Sequence, residues 1–168
     1  MTETTMTTLT TRSMTPPTRP AREAPALVRL SNPLTRRLLR SGLPMGPNVL
    51  LTVRGRVTGE PRTAPVAVVE IDGLRYVIGA YGDVQWVRNL RAAGEADIRV
   101  AGKPEHVIAS ELDAAEATRF YGETLPSYVA RLPWFGRLFA RVLFRLALPE
   151  IAAGPAHAAD AHPLFELR

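Results

Sequence analysis

Short runs in which apolar and polar residues alternate recur through the middle of the chain, separated by glycine- and proline-bearing turns, and this pattern predicts strands. Residues 49–53 form the first run. Pro61 keeps the next stretch out of helix, and residues 66–71 form the second, joined to the first through the Thr58-Gly59 turn pair. Asp72-Gly73 then turns the chain into LRYVIGA, in which Tyr76, Ile78 and Ala80 share one face and Val77 and Gly79 the other. Residues 96–100 and 106–112 flank Gly102-Lys103-Pro104 as a second hairpin, and the closing HPLFELR reads as a last strand. About six antiparallel strands with flanking helices describe an α+β, mainly β fold.

Elsewhere the spacing becomes helical. Within residues 26–40, Leu27, Leu30, Leu34, Leu38 and Leu39 follow a helical repeat broken at Asn32-Pro33, with Arg29, Arg36, Arg37 and Arg40 off that stripe. Asp83 stands where it can cap a helix over 84–93, stopped by Gly94, with Trp86, Asn89 and Leu90 on one side and Arg88 and Arg91 on another. Asp113 with Glu116 makes a capping-box start for a helix carrying Ala117, Phe120 and Tyr121 inward. Residues 134–148 are the most apolar stretch, with Arg137, Arg141 and Arg145 every four residues. That helix is expected to pack on the barrel with its basic stripe in water, the alternative being a peripheral membrane contact. An alanine-rich linker over 152–161 precedes the last strand. The expected layout is a disordered tail over 1–24, then one domain over 25–168: a helical segment 26–45, a barrel core 48–112, a helical region 113–150 and a strand within 161–168.

Composition narrows the chemistry. The 168 residues contain no cysteine, which excludes thiol catalysis, disulfides and cysteine-ligated zinc, so any redox work belongs to a cofactor. The net charge is +5, and residues 1–45 supply it, with seven arginines against Glu3 and Glu23. Lys103 is the one lysine, so nucleic acid is not an expected partner. His157 and His162 have no carboxylate at ligand spacing, and no metal site is expected.

The candidate chemistry gathers at the first hairpin. Arg54, Arg56 and Arg62 surround Gly55 and Gly59, placing cationic forks where glycines allow a ligand near the backbone. The same residues also describe an ordinary solvated hairpin tip, and Trp86 also reads as a core anchor.

Taken in order, the turn Gly55-Arg56-x-Thr58-Gly59-x-Pro61-Arg62, then Pro65, a Gly82 loop and Trp86-x-x-Asn89-Leu90-Arg91-Ala92 resemble the deazaflavin-dependent nitroreductase family. Those are actinobacterial oxidoreductases that use coenzyme F-420 in a split β-barrel related to FMN-binding flavoproteins. The resemblance covers residues 48–112 best. It implies that Arg56, Thr58, Gly59 and Arg62 grip the phosphate and acidic tail of F-420, with Arg54 and Val57 also among the cofactor-binding residues. Pro65, Ala80, Tyr81, Gly82 and Trp86 would border the deazaflavin ring. Val57 stands where many members have a basic residue. The implied reaction is hydride transfer to a small-molecule acceptor such as a quinone, an enone or a nitroaromatic. Tyr128, Tyr121 and Tyr81 are the candidate proton donors. An FMN enzyme of the same barrel and a non-catalytic deazaflavin or apolar-ligand binder are the competing readings. The expected location is the cytoplasm or the inner face of its membrane, as a monomer or a homodimer.

Overall fold

The computed structural model describes Ala21 and residues 48–100 and 102–168. The expectations of a disordered tail over 1–24 and a helical segment over 26–45 lie outside the described residues, Ala21 apart.

Six strands close an antiparallel barrel in the order β1-β2-β3-β6-β5-β4. They are β1 (Asn48–Arg54), β2 (Pro61–Ile71), β3 (Leu74–Ile78), β4 (Glu95–Val100), β5 (Lys103–Glu111) and β6 (Leu164–Leu167). The register follows from alternation, since a one-residue slip would turn each apolar set outward. Leu51 stands opposite Ala64 on β2 and Ile98 on β4, so these three point inward together. The last strand closes the barrel: β6 pairs with β3 through Val77↔Phe165 and with β5 through Ala109↔Leu167.

Among the described residues, five helices flank the barrel: α1 (Gln85–Ala93), α2 (Ala114–Arg119), α3 (Leu125–Arg131), α4 (Trp134–Ala147) and α5 (Pro155–Ala161). A π-helical turn, Phe120–Thr124, links α2 to α3, and a 3-10 turn, Pro149–Ala153, precedes α5. Two cores result. Leu51, Val53, Val77, Ile98, Val107, Phe165 and Leu167 fill the barrel, joined by Val87 and Leu90 of α1. Ile71, Tyr76 and Leu164, on the outer face of the same strands, are buried under Ala117, Phe120, Tyr121, Leu125, Ala158 and Ala159 of the helical layer. β3 therefore has both faces covered, Val77 inward and Tyr76 outward.

Several sequence expectations are corrected. β3 ends at Ile78, so Ala80 lies in the following loop rather than on the strand. Lys103 and Pro104 belong to β5, with Lys103 paired to Val100. Asp83 is not the cap of α1: that position is Val84, without a side-chain hydrogen bond, while Gly94 ends the helix in the left-handed conformation as expected. The alanine-rich stretch is not a linker but contains α5, whose Ala158 and Ala159 are buried because small side chains let the helix approach α2 and the π turn closely. The capping box at Asp113 and Glu116 forms as expected.

Candidate functional site

The turn between β1 and β2 is shaped by its glycines. Gly55 donates to the Glu60 carbonyl and Gly59 donates to the Gly55 carbonyl, both at 2.8 Å. A Cβ on Gly55 would lie 3.1 Å from the Glu60 oxygen, and Gly59 has φ of 73°, so both positions suit glycine. The turn leans on α1. The Arg56 backbone N–H donates to Asn89 Oδ1 at 3.3 Å, and its Nη1 donates to the same oxygen at 3.0 Å and to Gln85 Oε1 at 2.9 Å. These partners are neutral amides, so they orient the guanidinium without cancelling its charge. Arg62 is paired with Glu60 at 2.9 Å, but both side chains are exposed, and a pair of that kind is worth about 0–1 kcal/mol. It yields readily to a better anion.

Between this turn and α1 lies a cleft of about 830 Å³. Of the residues singled out from sequence, Arg56, Val57, Thr58, Arg62 and Trp86 line it, and Gly59 completes the same turn. Arg54 is exposed at the end of β1, and Pro65 lies on β2 opposite Leu50. Ala80, Tyr81 and Gly82 form the loop after β3, closed by Gly82 N–H donating to the Gly79 carbonyl at 2.9 Å, and they do not line the cleft. Trp86 is half-buried against the barrel core, 6.5 Å from the Phe165 ring centroid, so it both packs and borders the cleft. Sequence reasoning did not assign Gln85, Asn89, Thr63 or Ala64 to this wall. Asn89 had a signal: it is a polar residue on the side of α1 that otherwise buries Val87 and Leu90.

The loop before α1 is held by a buried charge cluster. Fully buried Asp83 accepts from Arg91 Nη2 at 2.8 Å and Nη1 at 3.2 Å. The other edge of the guanidinium binds Glu111, with Nη2 2.8 Å from Oε1 and Nε on Oε2. Hydrogen bonding to Glu111, opposed by desolvation and helped by Asp83, raises the Arg91 pKa above its ordinary value, so Arg91 stays charged. One arginine thus ties the 79–84 loop to α1 and β5.

The candidate tyrosines are dispersed. Tyr81 is half-buried in the loop after β3, and burial raises its pKa, keeping the hydroxyl protonated. Tyr121 is buried, donates to the His162 carbonyl at 3.3 Å and lines a second cleft of about 670 Å³ between α3 and α4. Tyr128, on α3, packs on the same helical layer. None of the three lines the hairpin cleft. Among the described residues no cluster of metal-ligating side chains occurs, and no helix is long and apolar enough to cross a membrane.

The chain was compared with known proteins. No curated protein matches it. Solved structures with similar chains include an F420-H2 dependent reductase (FDR-A), 21% identical over 73% of this chain and 94% of that one, with a TM-score of 0.44. The protein Atu2129 of unknown function from Agrobacterium tumefaciens is 20% identical over 89% and 58%, with a TM-score of 0.45. The heme storage protein HutZ from Vibrio cholerae is 15% identical over 80% and 87%, with a TM-score of 0.39. These likenesses are too weak to carry an assignment. The family model for F420H(2)-dependent quinone reductase, in contrast, matches residues 27–138, two thirds of the chain, including the hairpin turn and α1. The chain therefore belongs to that family and is an oxidoreductase whose cofactor is coenzyme F-420.

Proposed function

We propose that this protein transfers hydride from reduced F-420 to a quinone-like acceptor, with the hairpin turn holding the acidic tail of the cofactor. The observation that carries this reading is the Arg56 guanidinium, aimed by two neutral amides at a cleft wide enough for a cofactor segment. The donor set fits the group. F-420 has a phosphodiester and a glutamate chain, and Arg56, Arg62 and the Thr58 hydroxyl supply charge-assisted and neutral donors. Arg54, exposed at the end of β1, extends the positive field.

When bound, the reduced deazaflavin supplies two electrons as hydride. The residues of this chain bind, orient and exclude water. Trp86, together with Ala64 on β2, offers an apolar wall beside the arginine turn. In this reading the ring of the cofactor extends past Ala64 toward its neighbour Pro65 and past Val84 toward the loop that carries Ala80 and Gly82. Reduction of a quinone to a hydroquinone takes one hydride, which carries both electrons, and one proton, which completes the second hydroxyl. We assign the proton to Tyr81 of this loop, which burial keeps protonated, with Tyr121 and Tyr128 on the helical layer as the alternatives.

The test is anaerobic turnover with reduced F-420 and a water-soluble naphthoquinone, followed by the return of F-420 absorbance, beside an enone and a nitroaromatic. Quinone turnover well above the other two supports the reading. Turnover of the nitroaromatic or enone alone overturns the acceptor assignment while leaving the cofactor in place.

A further inference from the structure

The helix α4 does not hide its apolar surface. Trp134 is 72% exposed, Phe135 61%, Leu138 56% and Val142 50%, although Ala140 and Leu148 at the same segment are buried. Trp134, Leu138 and Val142 recur every four residues and form one row along the helix, and Arg137, Arg141 and Arg145 form the adjacent row, since residues four apart lie one above another. All three arginines are exposed, and among the described residues none is ion-paired. The helix has no acidic residue. At 14 residues it spans ~21 Å, far too little to cross a bilayer but enough to lie along one.

We infer that α4 docks the protein onto an anionic lipid bilayer, lying in the interface with its apolar row in the acyl boundary and its arginine row among the headgroups. Charge selects this occupant. Residues 22–47 of the chain, outside the described residues, contain five arginines and one glutamate, so they oppose a cationic face. A second copy of the helix would set arginine row against arginine row. An anionic bilayer accepts both rows at once, because arginine stems run along apolar surface while their heads reach phosphates. The apolar cleft between α3 and α4 opens at the same helix, with Trp134, Arg137, Leu138 and Arg141 on its wall. This inference does not depend on which acceptor is reduced, though a surface of this kind suits a lipid-soluble one.

The experiment is cosedimentation of the full chain with vesicles of phosphatidylcholine alone, or with about a third of that lipid replaced by phosphatidylglycerol. Binding to the anionic vesicles only, weakening steeply with salt, is the expected result. Arg137→Ala, Arg141→Ala and Arg145→Ala together are expected to weaken it on the order of a hundredfold, from the usual contribution of basic residues near an anionic surface. Trp134→Ser with Leu138→Ser should also release the protein. Tryptophan emission should shift to the blue with anionic vesicles in the parent and not in Trp134→Phe. F-420 binding by each variant checks that the fold survives. Equal binding to both vesicle types, no binding to either, or anionic binding untouched by both sets of substitutions overturns the inference. A dimer that loses association with the same substitutions also overturns it, in favour of a second copy.

Discussion

Arg91→Met removes the guanidinium that bridges Asp83 and Glu111. Asp83 is fully buried and Glu111 is 11% exposed, so both carboxylates have given up most of their hydration. Breaking a buried pair by deleting one partner costs about 3–5 kcal/mol. The low end applies, because the Arg91 side chain itself keeps 22% exposure and water can enter through its place. About 3 kcal/mol in a chain of this size corresponds to a fall in Tm of roughly 6–12 °C. Arg91→Lys should fall between, since one ammonium cannot fork across two carboxylates. Adding Asp83→Asn to Arg91→Met should recover part of the loss by removing the buried charge. Thermal melting by circular dichroism at neutral pH is the assay. A fall of less than about 2 °C for Arg91→Met would refute the reasoning, because the cluster would then be held by something other than this arginine.

Asn89→Leu deletes the acceptor shared by the Arg56 amide and guanidinium, which should loosen the turn and weaken F-420 binding by about tenfold, read by titration, since hydrogen bonds to charged groups contribute about 1.5–3 kcal/mol. Tyr76 is an acid whose pKa is raised in the folded state, chiefly by desolvation and secondarily by Glu166. The native state therefore holds its proton longer than the unfolded chain, and the contribution is present below the unfolded tyrosine pKa and lost as pH rises through the folded one. Tyr76→Phe should accordingly lose less stability above about pH 10 than the parent does, measured by denaturant unfolding across alkaline pH.

The strands and their turns were legible because alternation and the turn signals Thr58-Gly59, Asp72-Gly73 and Gly102-Lys103-Pro104 act within a few residues. The ends of α1 and α2 followed from Gly94 and the Asp113–Glu116 box for the same reason. Longer-range choices were not legible. Asp83 looks like a helix cap, whereas in the fold it is buried and paired with Arg91, which Glu111 of β5 also holds. α5 hides in an alanine-rich stretch with little apolar contrast, and its burial comes from the close approach that Ala158 and Ala159 permit. The expected packing of α4 is half of the finding: Ala140 and Leu148 pack, while Trp134 and Leu138 remain exposed beside the arginines. For the site, the arginine turn and Trp86 could be named from sequence, whereas the dependence of Arg56 on Asn89 and Gln85 needed the register of α1 against the hairpin.

The most direct test of the account is calorimetric titration of the protein with oxidised F-420 and, separately, FMN, for the parent, Arg56→Ala and Arg62→Ala. The account predicts that F-420 binds in preference to FMN, that Arg56→Ala weakens it by at least about tenfold, and that Arg62→Ala adds to the loss. Tight FMN binding without response to F-420, or F-420 affinity indifferent to both arginines, would contradict it.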